Sequence, residues 1–167
     1  MRIVKWIFVV LLLGSLTSFV SFGGKENSAG KLNVGNAAPN FEIKTALEKR
    51  LFTLNDLKGK YVLLSFWATY DAQSRMKNIS LNNALQSTFL NVEMISVSFD
   101  EYESVFIETI RKDRIAPTVC FVETDGVKSN LFEKYRLKSG FTNYLLNEDG
   151  IILAKDISAK DLGSLLK

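Results

Sequence analysis

The chain has 167 residues, is 47% hydrophobic and 11% aromatic, and carries a formal charge of +3. That size suits one domain with a sizeable core and excludes global disorder, and the charge is too small to mark a nucleic-acid partner. There is no histidine and one cysteine, Cys120, so one chain cannot supply an imidazole–thiolate metal site, a Ser-His-Asp or Cys-His pair, or a disulfide.

The first residues, MRIVKWIFVVLLLGSLTSFVSFGG, set Arg2 and Lys5 ahead of an apolar run from Trp6 to Leu13. Small residues follow from Ser21 to Gly24, the layout of a secretory signal peptide cleaved near Gly23 or Gly24. An uncleaved anchor is the rival reading, and Trp6 to Phe22 is at the short end for a membrane span. Residues 1–23 are therefore assigned to a signal peptide or N-terminal anchor, 24–33 to a flexible linker and 34–167 to the folded domain. Export places that domain in the periplasm or cell envelope, touching membrane only through an uncleaved first segment. Loss of residues 1–23 removes Arg2 and Lys5 and no acid, which lowers the charge from +3 to +1.

FEIKTALEKRLFTL reads as two short strands around a turn near Ala46 to Lys49, followed by a tight turn at Gly59. YVLLSFWA is a continuous apolar run, which predicts a central strand buried on both faces. DAQSRMKNISLNNALQSTF predicts a helix with Asp71 as its N-cap and an imperfect inward stripe of Met76, Ile79, Leu81, Leu85 and Phe89. VEMISVSF is the next strand. EYESVFIETIRKD is an amphipathic helix with Val105, Phe106, Ile107 and Ile110 inward. PTVCFV is a short strand, and SNLFEKYRL a short helix capped at Ser129 or Asn130. TNYLLNEDGIILA is a hairpin turned by Glu148, Asp149 and Gly150, and SAKDLGSLLK a terminal helix capped by Ser158. Arg75, Lys77, Arg111, Lys112 and Arg114 are read as solvated helix faces.

This order implies a right-handed parallel crossover and a closing antiparallel hairpin. The fold class is α/β: a three-layer α/β/α sandwich, a mixed central sheet and an N-terminal β-hairpin extension.

Three stretches, VGNAAPNFEIKT, TLNDLKGKYVLLSFWAT and LFEKYRLKSGFTNYLLNEDGIILAKD, resemble in order and spacing the thioredoxin-like superfamily. More narrowly, they are similar to exported thiol–disulfide oxidoreductases of the TlpA/ResA type, in the AhpC/TSA and redoxin group. The resemblance covers about Val34 to Lys167. It implies a W-C-x-x-C-R active site where this chain reads Tyr70-Asp71-Ala72-Gln73-Ser74-Arg75. Asp71 and Ser74 then match the two cysteines, and Thr142 matches the family's cis-proline, with the 141–142 bond expected trans. The active site is degenerate on this reading, with Asp-Ala-Gln-Ser in place of Cys-x-x-Cys.

The residues weigh against catalysis by Asp71 and Ser74, because a capping carboxylate is a poor general base. Cys120, flanked by Val119 and Phe121, reads as a core thiol, the alternative being a reactive one. Trp67, Tyr70 and Phe141 are candidates for an aromatic groove, although Trp67 also suits the core. Glu101 and Glu103 follow the second core strand and could approach the turn. No metal and no cofactor is expected. The leading expectation is an envelope binding or structural module, inactive in thiol–disulfide exchange, with an unidentified protein or peptide partner. The alternative is a divergent oxidoreductase or peroxidase-like enzyme using Cys120.

Overall fold

A computed structural model of the chain describes residues 32–44, 50–87, 91–116 and 120–166. The signal, anchor and most of the linker readings lie outside those residues, as do the turn at 46–49 and Phe89. Leu32, assigned to the linker by composition, is buried with the core.

Strands β1 (Glu42–Lys44) and β2 (Leu51–Thr53) pair antiparallel, with Ile43 opposite Phe52. The main sheet contains β3 (Tyr61–Trp67), β4 (Val92–Ser98), β5 (Cys120–Val122), β6 (Asn143–Leu146) and β7 (Ile152–Lys155). Its order is β5-β4-β3-β6-β7; β3, β4 and β5 are parallel, and β6 and β7 run antiparallel to their neighbours. Helices α1 (Ala72–Ser87), α2 (Glu103–Lys112), α3 (Asn130–Lys134) and α4 (Ala159–Leu165) complete the described elements. The mixed sheet, the hairpin extension and the layered helices are those expected.

The apolar run of β3 follows from its central place. Val62, Leu64 and Phe66 point into one cluster, with Phe99, Phe132 and Tyr135. Leu63 and Trp67 point to the other face, into clusters with Leu81, Leu145 and Leu162 and with Phe106 and Ile110. This is the period-two alternation of a strand covered on both sides. The hairpin joins the first face, where Phe52 meets Phe121 at 4.8 Å between ring centroids.

Local signals set the ends. Ser129 accepts from the Phe132 N–H at 3.1 Å and caps α3. Asp161 receives the Ser158 N–H at 2.7 Å at the start of α4. Asn147 accepts the N–H groups of Asp149 and Ile151 at 3.0 and 2.8 Å, and Gly150 takes φ +79° to close that hairpin. Residues 35–38 lie along β7: Gly35 donates to the Ile152 carbonyl at 2.8 Å, and Ile152 donates to the Asn36 carbonyl at 2.9 Å.

Three side-chain expectations are corrected. Met76 is 64% exposed, while α1 buries Ser74, Asn78, Leu81 and Asn82. The inward face follows i, i+4, i+7 and i+8 from Ser74, which puts Met76 outside it. The buried amide is partly provided for: Trp67 Nε1 donates to Ser96 Oγ at 2.7 Å, and Ser96 Oγ donates to Asn78 Oδ1 at 3.0 Å. On α2, Val105 is 46% exposed and Thr109 is buried with Phe106 and Ile110. Arg75 is only partly solvated, and its Nε and Nη2 donate to Asp113 at 2.8 and 2.7 Å.

Candidate functional site

The turn from β3 into α1 lies at the carboxyl ends of the parallel strands, where open α/β sheets place their sites. The β3–β4 register pairs Trp67 with Ser98. Two residues further along, Thr69 meets Asp100. Thr69 donates its N–H to Asp100 Oδ1 and Oδ2 at 3.0 and 3.2 Å, and its hydroxyl to Oδ1 at 2.6 Å. Ser98 Oγ also donates to Asp100 Oδ2. Asp100 is 3% exposed, so these bonds replace the water its charge gave up.

Asp71 starts the helix as its residue type predicts. Its Oδ1 accepts from the Ser74 N–H at 2.7 Å, the N-cap bond. Ser74 is buried; its hydroxyl donates to the Asp71 carbonyl at 3.2 Å and accepts from the Ala68 N–H at 3.4 Å. Both side chains are thus committed to the turn itself. The serine hydroxyl points its proton at a backbone carbonyl.

An open groove of about 550 Å³ lies beside this turn. Asp71, Gln73 and Lys77 of the turn and α1 line it together with Arg136, Phe141, Thr142, Lys155 and Asp156. The Phe141–Thr142 bond is trans. The Thr142 carbonyl accepts from the Phe66 N–H at 3.0 Å, which fixes this loop against β3. Lys77 pairs with Asp156 at 2.5 Å. Asn143 pins the same segment, accepting the Ile157 N–H at 2.9 Å and donating to its carbonyl at 3.0 Å. Arg136 and Asp156 both adopt left-handed backbone, φ +53° and +54°. Such conformations cost about 1–3 kcal/mol in a non-glycine residue and gather at functional sites.

The proposed aromatic set divides. Tyr70 is 65% exposed, with its ring 6.3 Å from Phe141. Phe141 in turn stacks on Phe99 at 5.9 Å. Trp67 is wholly buried against Phe106 and lines no groove, because its strand position faces α2. Partial burial of its ring raises the Tyr70 phenol above its ordinary pKa, and Asp100, Asp71 and Glu101 add to the shift.

Cys120 sits on β5 opposite Ser96 and is 1% exposed. Burial pushes its thiol up to about 12, against a smaller opposing contact from Ser96. A thiol so placed stays protonated at neutral pH and is a poor nucleophile. Asp100, Arg136 and Asp156 were missed in the sequence. For Asp100 a signal existed: it follows a parallel strand at the same sheet end as Asp71.

Residues 34–155 match the AhpC/TSA family. The chain is 28% identical over 158 residues to a thiol-disulfide oxidoreductase ResA of Bacillus cereus, covering 93% of this chain and 88% of that one. A thioredoxin-like protein from Parabacteroides distasonis superposes with TM-score 0.72 at 37% identity, over 81% of this chain and 95% of that one. The thioredoxin domain of a thiol-disulfide oxidoreductase from Bacteroides vulgatus superposes with TM-score 0.68 at 25% identity, over 82% of this chain and all of that domain, 100%.

Proposed function

The chain belongs to the AhpC/TSA family, with the thioredoxin-like fold of thiol–disulfide oxidoreductases, and on that premise we propose that it is a binding or structural module without thiol–disulfide exchange activity. One observation carries the reading. At the strand-to-helix turn, where the family pattern sets its cysteines, Asp71 and Ser74 are spent on hydrogen bonds within the turn. A helix N-terminus stabilises an anion there. In this chain a carboxylate side chain, that of Asp71, takes this place, starts the helix and has no sulfur to exchange with a disulfide.

The lone thiol supports the same conclusion. Cys120 lies on β5 in the α2-side cluster with Trp67 and Phe106, and it is buried. The alternative, an oxidoreductase or peroxidase-like enzyme working through Cys120, needs a thiolate that burial opposes. The groove beside Asp71 and Thr142 offers polar and charged side chains of both signs, which suits a polar segment of another protein.

The N-terminal pattern of Arg2, Lys5 and an apolar run supports export to the periplasm or cell envelope, with residues 34–167 as the thioredoxin-like domain. Insulin reduction and peroxide consumption test the function directly. Neither activity is expected above the uncatalysed rate. Turnover that disappears in Cys120→Ser would overturn the proposal in favour of the enzyme.

A further inference from the structure

The other side of the turn carries a second groove of about 260 Å³, lined by Tyr70, Tyr102, Val105 and Val127 together with Asp100 and Glu101. The four large side chains are 65%, 69%, 46% and 50% exposed, respectively. An apolar surface gathered in this way marks an interaction site more often than scattered exposed residues do.

Its charge is one-sided. Asp100 keeps its carboxylate almost wholly buried and satisfies it with donors from Thr69 and Ser98, which carry no charge. Among the described residues neither Asp100 nor Glu101 forms a salt bridge. Arg75 senses Asp100 but gives its guanidinium to Asp113. The raised Tyr70 phenol reports the same field, after burial, through Asp100, Asp71 and Glu101. Gly126 helps to seat Glu101. It has φ +55°, and a Cβ there would stand 3.3 Å from Glu101 Cγ. Any side chain at 126 would press on the carboxylate arm.

We propose that this groove binds an arginine or lysine side chain, flanked by apolar residues, presented by an extended segment of a partner protein. The aliphatic stem lies along Val105 and Val127, and the cation meets Glu101 and the faces of Tyr70 and Tyr102. Long basic side chains divide in this way between apolar surface and charge, and tyrosine faces attract cations. The inference is independent of whether the turn performs redox chemistry.

The test is fluorescence anisotropy of the full chain with labelled peptides Leu-Arg-Leu-Arg-Leu, its lysine form and its citrulline form. Citrulline keeps the shape of arginine and removes the charge. The arginine and lysine peptides are expected to bind, and the citrulline peptide about fivefold more weakly. Glu101→Gln should weaken the arginine peptide by a similar factor, and Tyr102→Ala should weaken all three. Arg136→Ala, in the first groove, should leave them unchanged. Unaltered fluorescence of buried Trp67 serves as the folding control. Equal affinity for arginine and citrulline, indifference to Glu101→Gln, or loss on Arg136→Ala overturns the proposal. So does absence of binding up to about 1 mM peptide, or a concentration-dependent dimer that Glu101→Gln dissolves, which would put a second copy in the groove.

Discussion

Asp100 holds Thr69 by two different donors at once, the backbone N–H at 3.0 Å and the hydroxyl at 2.6 Å, both on Oδ1. The bond crosses from the end of β4 to the end of β3 and fixes the backbone just before the helix begins. Asp100→Ala would leave the buried Ser98 hydroxyl and the half-buried donors of Thr69 without this acceptor. A loss of about 2–3 kcal/mol in unfolding free energy is expected from urea denaturation. Thr69→Val, which keeps the backbone bond, should lose less.

Asp71 should behave as a cap first. Asp71→Ala is expected to cost about 1 kcal/mol, and Asp71→Ser to recover most of it, measured by the urea midpoint. The same helix end should also tune a sulfur. In the double variant Asp71→Cys with Ser74→Cys, the thiol at 71 is expected to titrate below the ordinary cysteine value. Absorbance of the thiolate near 240 nm, compared with the single Ser74→Cys variant, reads this out. A thiol that titrates at or above the ordinary value would show that the turn lacks the field ascribed to it.

Cys120 predicts a pH dependence. The folded thiol is held at about 12, against an ordinary value of 9.0. Between those values the unfolded chain has lost the proton and the folded chain keeps it, so rising pH favours unfolding. Stability contributed by the neutral thiol is complete below about pH 9 and falls by about 1.4 kcal/mol per pH unit above it. The difference between wild type and Cys120→Ala, followed by urea denaturation from pH 8 to pH 11, should carry this slope. Below pH 9 the difference should be flat. Reaction of the native thiol with a disulfide reagent should likewise be slow until the protein is unfolded.

Arg75 and Asp113 tie the first turn of α1 to the end of α2 through a forked pair. The Asp113 side chain is 8% exposed and the Arg75 side chain 33%. Arg75→Lys keeps the charge and loses the fork, so it should recover little of the coupling. A double-mutant cycle with Asp113→Asn is expected to give about 1 kcal/mol.

Much of the fold was legible because its signals are local or periodic. The unbroken apolar run of β3 announced a strand covered on both faces, and Asp71 at a strand-to-helix boundary announced a cap. The side of a strand that a given residue faces was less legible. Trp67 ends a run in which every residue is apolar or small, so the pattern could not assign it to the α2 side and away from the groove. The Asp100–Thr69 and Arg75–Asp113 bonds join residues 31 and 38 positions apart, and nothing local in the sequence ties their members together. They follow from register and from helix placement. Arg136 and Asp156 were also out of reach, because a left-handed backbone is uncommon at non-glycine residues and no local sequence feature marks these two.

Residues 35–38, stitched along β7, have a consequence for how copies of this protein can meet. An outermost strand with free peptide groups is a template on which another chain can polymerise. Here Gly35, Asn36 and Ala38 already occupy the outward hydrogen-bonding positions around Gly150 and Ile152. Growth of the sheet at the start of β7 would first require this segment to peel away. Backbone pairing, which accepts almost any sequence, is thereby hindered at that corner of the sheet.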